Sequence, residues 1–242
     1  MYNYRLPFFF VFVLIWLVYL PGFSQLSVSQ GTQNKQIDVD LNGLSKEDQT
    51  LFNGRVWRNL YYKVREDQFL YSKSYLPGSV SIEGTTFRNV DLLYDIYNDE
   101  IITHTSNGSF LQLNKEMVDS FSLVFNKSIM GFFRTDNDSI KGYNGYINIL
   151  YKGKSLLHVK YKKEIELLAV DRKYDEFYQT HKVYLIQDSV INLVNNRRDL
   201  FLLFGEDKAA VKSFIKKNKL FVTIKKPESL IPVITYFDSL KN

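Results

Sequence analysis

The sequence predicts an α+β fold: a mainly antiparallel β meander, open or barrel-like, followed by a C-terminal group of helices. Three observations lead there. Between residues 55 and 194, short alternating apolar runs are cut by turn-forming residues at hairpin spacing. After Asn195 the apolar period lengthens and helix-capping residues appear. Aromatics are 16% of the chain, with 17 Tyr and 19 Phe against 2 Trp, and Tyr and Phe suit half-buried pleated surfaces. Strands first and helices last is the α+β order.

The first 25 residues read as a secretory signal peptide. Arg5 is their only charge; an apolar run follows from Leu6 to Leu20, then Pro21-Gly22-Phe23-Ser24-Gln25. A basic start, an apolar middle and a small-residue exit are its three parts. Gly22 and Ser24 fit the −3 and −1 sites, so cleavage is expected after Ser24 or Gln25. The run is short of the roughly 20 residues that span a bilayer, and Pro21-Gly22 ends any helix there. The expected address is the periplasm or the exterior. No transmembrane segment is expected after cleavage.

Residues 26–54 are a polar lead-in, with a short strand at 36–41 and a short helix over Leu44–Phe52, Ser45 as its N-cap and Asp48 three residues on. Residues 55–242 are expected to form a single globular domain, β-rich over 55–194 and helical over 195–242. Phe69-Leu70-Tyr71 precedes a Pro77-Gly78 turn. Ser79–Glu83 alternates and ends at Gly84-Thr85. Val90–Tyr97 and Glu100–His104 flank Asn98-Asp99, a hairpin signal. Ser109–Leu113 alternates again, and Met130–Arg134 is short. Thr135–Asn144 is polar and reads as a loop. Tyr146–Tyr151 and Ser155–Tyr161 flank Lys152-Gly153-Lys154, whereas Lys162–Tyr174 is charged and ambiguous. Lys182–Gln187 and Val190–Val194 turn at Asp188-Ser189.

Asn196 caps a helix over Arg197–Phe204, with Asp199 at the third position and Gly205 as its stop. Glu206–Asn218 is a second helix, with Ala209, Ala210, Phe214 and Ile215 apolar and lysines outside. Pro227 opens a third helical segment through about Leu240, with Pro232 as an alternative start.

Composition narrows the function classes. The chain has no Cys, which excludes disulfides, thiol catalysis, thiolate metal sites and a lipid-modified N-terminal cysteine. Removing residues 1–25 leaves 217 residues, enough to stand on a core alone, with 30 cations against 26 anions, a net charge of +4. Lys162-Lys163, Arg197-Arg198, Lys216-Lys217 and Lys225-Lys226 are dispersed pairs. A nucleic-acid surface needs charge clustered on one face, so no nucleic-acid partner is expected.

No motif specifies chemistry. His104, His158 and His181 lack metal-ligand spacing. Asp136-Asn137-Asp138 starts like a calcium loop, but the sixth residue is Lys141 and the twelfth Ile147, so the pattern fails. Neither a Gly-x-Ser-x-Gly elbow nor a phosphate or dinucleotide loop is present. Carboxylate neighbours such as Glu66 and Asp67, or Asp171 and Asp175, are explained as surface charge. No catalytic residue, metal or cofactor is assigned. The candidate binding residues are aromatic: Trp57, Tyr61, Tyr62, Tyr94 and Tyr97. In a strand, Tyr61 and Tyr62 would point to opposite faces, so one of them must be rim, second core or binding surface.

The run Trp57, Tyr61-Tyr62, Gln68-Phe69-Leu70, Gly78-Ser79-Val80 and Asn89-Val90-Asp91-Leu92-Leu93-Tyr94-Asp95-Ile96-Tyr97, with Phe121-Ser122-Leu123 after it, resembles a family of uncharacterised exported β-rich proteins of Gram-negative bacteria. The tail Arg198–Phe204 and Val211–Asn218 is similar to the same family. The resemblance implies export and a β-rich architecture, and it transfers no activity. The leading expectation is a non-enzymatic protein of the cell envelope that binds an envelope protein, glycan or lipid. Two rivals, a hydrolase and an outer-membrane barrel, stand beside it, and a carrier is a version of it. A hydrolase needs a pocket holding His104 or His158 beside two carboxylates. A lipid or small-ligand carrier needs an apolar cavity inside the sheet. An outer-membrane barrel needs strands of about ten residues.

Overall fold

A computed structural model of the chain describes residues 46–105 and 107–241. The signal peptide, the strand at 36–41 and the Ser45 cap lie outside the described residues. After helix α1 (Lys46–Leu51), eleven strands form one antiparallel sheet. They are β1 (Gly54–Val56), β2 (Leu76–Ile82), β3 (Thr85–Asp95), β4 (Glu100–His104), β5 (Phe110–Leu113), β6 (Val118–Phe125), β7 (Ser128–Thr135), β8 (Gly145–Lys152), β9 (Leu156–Val170), β10 (Tyr174–Gln187) and β11 (Val190–Val194). Their spatial order is β1-β5-β4-β3-β2-β6-β7-β8-β9-β10-β11. The sheet is open, with β1 and β11 at its edges, so the barrel-like alternative gives way to a meander that does not close. Helices α2 (Arg197–Leu203), α3 (Lys208–Lys217) and α4 (Ile231–Leu240) follow, so the α+β order holds.

Local chemistry sets most of the turns. Asp188 and Ser189 both have positive φ, 50° and 66°, as do Asn126 and Lys127 at 49° and 63°. Two successive left-handed residues make the turn whose twist matches that of paired strands. Pro77-Gly78 is not a turn: it begins β2. Pro77 is opposed only by Asp91 of β3, at a strand start where its missing N–H is tolerated. Gly78 follows because β6 runs close above it, and an added Cβ would lie 2.1 Å from the Ser122 carbonyl oxygen.

Asn98-Asp99 sits within a longer connection. β3 ends at Asp95, and four residues, Ile96 to Asp99, reach β4. The buried Asp95 carboxylate holds this loop by accepting from the Tyr97 and Asn98 amides, both at 2.9 Å. The ambiguous stretch after Lys162 is strand: β9 continues to Val170 because β10 pairs with it almost throughout. The inner halves of both strands are buried and the outer halves project. The Lys163 amide donates to the Ile96 carbonyl at 3.1 Å, which draws the β3–β4 loop against β9.

The main core lies between one sheet face and the three C-terminal helices. Phe121 and Phe132 stack at 4.6 Å, with Tyr94 edge-on to both. Leu200, Phe204, Val211, Val233, Ile234 and Phe237 fill the helical side. Asn196 Oδ1 accepts from the Arg198 and Asp199 amides at 2.8 and 3.0 Å, the cap that the sequence predicts. Pro232 lies in the first turn of α4, after a 3₁₀ turn over Pro227–Leu230, so it marks the true start of that helix. A smaller cluster covers the opposite face of the sheet, with Tyr143, Ile147, Tyr184 and Ile186 around His158.

Candidate functional site

The five aromatic candidates do not form one platform. Tyr94 is 1% exposed and belongs to the core, because its position in β3 faces the sheet's packed side. Trp57 packs at 5.9 Å from Phe69 and 6.0 Å from Phe110, closing a small cluster. Tyr61 and Tyr97 meet edge to face at 4.9 Å, each also against Phe177. Tyr62 is 74% exposed. The two neighbours Tyr61 and Tyr62 do differ in environment, but they lie in irregular chain outside any strand. That chain is fixed by the Arg65 amide donating to the Asp175 carbonyl at 2.8 Å.

Tyr97 does line a cleft of about 550 Å³. Its floor is the outer face of β9 and β10, with Lys160, Lys162, Glu164, Thr180 and Lys182. One wall is the β3–β4 loop, drawn against β9 by the Lys163–Ile96 bond. The other is the β7–β8 loop, with Asp136, Asp138 and Asn144.

Asp99 is the hub of this cleft. It has φ of 60°, and its carboxylate accepts from Tyr94 Oη at 2.6 Å, Lys115 Nζ at 2.7 Å, Lys160 Nζ at 2.7 Å and the Tyr146 amide at 3.3 Å. Burial alone would raise its pKa, but Lys160 and Lys115 outweigh that and hold it below the usual carboxylate value. Burial, reinforced by the Asp99 charge, pushes the Tyr94 hydroxyl far above its ordinary range, so it serves as a donor. Gly145 makes the arrangement compatible with the chain. Its φ is +71°, and a Cβ there would lie 1.8 Å from Asp99 Oδ2.

The remaining cleft charges are also engaged. Glu164 accepts from Lys162 Nζ at 2.8 Å and Tyr178 Oη at 2.7 Å. Asn144 donates to Asp138 at 2.8 Å, and Lys182 donates to the Lys141 carbonyl at 3.2 Å. Four carboxylates, Asp99, Asp136, Asp138 and Glu164, thus face four ammonium groups on Lys115, Lys160, Lys162 and Lys182.

No histidine joins a carboxylate pair. His181 lines the cleft, but its Nε2 donates to the Ile224 carbonyl at 2.8 Å. His104 lies 3.4 Å from the single carboxylate of Asp91, in a shallower depression. His158 is buried against Tyr143, whose hydroxyl lies 2.7 Å from Nδ1, and burial lowers its pKa from 6.5 to about 4. Among the described residues, no group of three or more His, Asp or Glu converges as a metal site would. Nor is any helix there long and apolar enough to cross a membrane.

The cleft's charged residues come from five separate strands and loops, so no local sequence pattern announces them. The basic pairs look dispersed along the chain, but the structure brings Arg197-Arg198 and Lys216 together with single lysines. Arg197, Arg198, Lys208, Lys212, Lys216 and Lys219 line one groove between α2 and α3. Two signals of it are present in the sequence: Lys208, Lys212 and Lys216 repeat at the four-residue helical spacing, and residues 195–226 hold 9 cations and 3 anions.

No protein-family model, no curated protein and no solved structure matches the chain.

Proposed function

We propose that this is an exported, non-enzymatic binding protein of the cell envelope, and that the cleft takes a neutral, hydroxyl-rich ligand such as a glycan fragment. The observation that carries this is the cleft's charge balance, four carboxylates against four ammonium groups beside the Tyr97 ring. A site for an anion or a cation would hold an excess of one sign. A balanced site offers alternating fixed donors and acceptors, which suits hydroxyl groups, and an aromatic wall suits the apolar face of a sugar ring. Its volume lies in the usual range for ligand pockets, roughly 300–1,000 Å³.

The same geometry speaks against hydrolysis. Lysines hold Asp99 and Glu164 below the usual carboxylate values, Asp138 accepts from the Asn144 amide, and no imidazole stands free beside two carboxylates. General acid/base work needs a group whose proton affinity is poised near the working pH. The carrier alternative is weakened because the sheet's packed face is filled by side chains of α2, α3 and α4. Export is supported by the pattern of the first 25 residues, which fits an address in the periplasm or the exterior.

The test is calorimetric titration of the protein with soluble oligosaccharides and disaccharide-peptide fragments of cell wall. Binding of at least one saccharide is expected, weakened about tenfold by Tyr97→Ala, which is about 1.4 kcal/mol. Lys162→Gln should weaken it while leaving the fold intact. Silence across the whole series would remove the glycan proposal, and a saccharide cut into products would remove the non-enzymatic one.

A further inference from the structure

We infer that the groove between α2 and α3 docks the protein onto an anionic phospholipid surface. This is independent of the cleft and of its ligand. Six cations line the groove, Arg197, Arg198, Lys208, Lys212, Lys216 and Lys219, and no carboxylate lines it. Among the described residues, no ion pair within 4.0 Å engages any of the six. The surrounding segment, residues 195–226, carries 9 cations and 3 anions, a net charge of +6. The rest of the chain has 22 cations and 23 anions. The net positive charge of the protein is therefore that of its helical segment.

Such concentration has an electrostatic cost unless a counter-charge arrives, because like charges on one face repel. The groove's apolar part identifies which counter-charge fits. Phe201, Ile215 and Leu220 form its floor, and the Phe201 ring lies under Arg197 at 5.2 Å and Lys212 at 5.5 Å. Leu202, one helical turn after Arg198, is 63% exposed, and Phe221, next after Leu220, is 75% exposed. Cations that reach phosphates, with bare Leu and Phe beside them, suit a headgroup layer with acyl chains beneath it. A duplex-binding surface would instead be more polar throughout, without bare Leu and Phe flanking the cations. The long Lys and Arg stems can lie along the apolar floor while their heads reach the lipid phosphates.

Vesicle co-sedimentation tests this, comparing equimolar phosphatidylglycerol–phosphatidylcholine vesicles with pure phosphatidylcholine. The quantity read is the affinity difference between the two, which cancels any contribution from the apolar run near the N-terminus. The wild-type protein should prefer the anionic vesicles, and added salt should erase the preference by screening. Each cation near such a surface contributes about a fivefold gain, so the triple change Lys208→Gln, Lys212→Gln and Lys216→Gln should cost roughly 100-fold. Phe221→Ser, with charge unchanged, should weaken absolute binding to the anionic vesicles several-fold while the preference for them remains.

A control with the same charge loss elsewhere, Lys73→Gln, Lys127→Gln and Lys152→Gln, should keep most of the preference. All of these side chains are at or near the surface, so the variants fold, as circular dichroism will show. The inference is overturned if wild type shows no anionic preference, or if the control loses as much as the groove variant. Micromolar inorganic phosphate displacing the protein would assign the groove to the free anion instead. Tighter binding to a DNA oligonucleotide than to vesicles would assign it to nucleic acid.

Discussion

Asp99 illustrates how one residue holds several elements. Its carboxylate joins the β3–β4 loop to β3 through Tyr94, to β9 through Lys160 and to the turn after β5 through Lys115. Asp99→Asn removes the charge but not the shape, leaving Lys160, which is 12% exposed, without its counter-ion. Breaking a buried pair from one side costs about 3 kcal/mol, so chemical denaturation should show a loss of that order. The folded pKa lies below the ordinary value of 3.8. The stabilisation is therefore complete above the unfolded value and disappears as pH falls through the lower folded one. Gly145→Ala should harm the same junction, since Cβ would strike Asp99 and the backbone φ is positive.

His158 gives a second pH dependence, in a different window. Unfolded, its imidazole takes a proton near 6.5; folded, it does so only near 4. Between those values the unfolded state binds more protons, so stability is full above about pH 6.5 and declines toward pH 4. A tenfold change in proton affinity is worth about 1.4 kcal/mol, so the decline is on the order of 3 kcal/mol. Thermal denaturation across this range reads the slope directly. His158→Leu should flatten it, whatever the variant's absolute stability. An unchanged slope would place the titration on other groups.

At the scale of elements, α4 is tied to the β8–β9 hairpin by one buried acid. Asp238 Oδ2 accepts from Tyr151 Oη at 3.1 Å and from the Ser155 amide at 2.8 Å. Asp238→Ala strands a buried backbone donor and a phenol, and should cost about 2–3 kcal/mol by chemical denaturation. Asn196→Ala should cost about 1 kcal/mol, the usual value of an N-cap. The two contacts differ in how far sequence alone reveals them. The Asn196 cap is local, two and three residues from its donors, and so it is legible in sequence, as is the Asp188-Ser189 turn; the start of α4 is narrowed only to Pro227 or Pro232. The Asp238 tie spans 83 and 87 residues, and nothing in local pattern announces it. The outer half of β9 is ambiguous in sequence for a related reason. Its charged residues follow no burial period, and only pairing with β10 makes it strand. The cleft shares this fate, because Lys160 and Asp99 meet through topology. The basic groove is half legible: both helices and the lysine repeat can be read in sequence, but not the packing that sets Arg197 and Arg198 of α2 across from the α3 lysines.

Across the whole molecule, sheet and helices share a single set of buried side chains. Val80, Leu92, Phe121 and Val159 from the sheet belong to the same cluster as Leu200, Val211, Val233 and Phe237 from the helices. Among the described residues, neither layer has a second face with a comparable core; the cluster around His158 is smaller and lies on the sheet's far side. Each layer is thus the main apolar cover of the other, and an uncovered β face of this size does not hold its packing in water. The expected consequence is one cooperative thermal transition. Far-ultraviolet and near-ultraviolet signals should coincide, and calorimetric and van't Hoff enthalpies should agree. Phe237 is 2% exposed and packs 4.7 Å from Phe204, so Phe237→Ala should cost about 3–5 kcal/mol without splitting that transition. Ending the chain before Ile231 should go further, removing Val233, Ile234 and Phe237 together and leaving a species with no sharp melt. If the sheet instead melted cooperatively without α4, it would carry its own stability. The C-terminal helices, with their basic groove, would then be an attached module, free to detach from the sheet when they meet a surface.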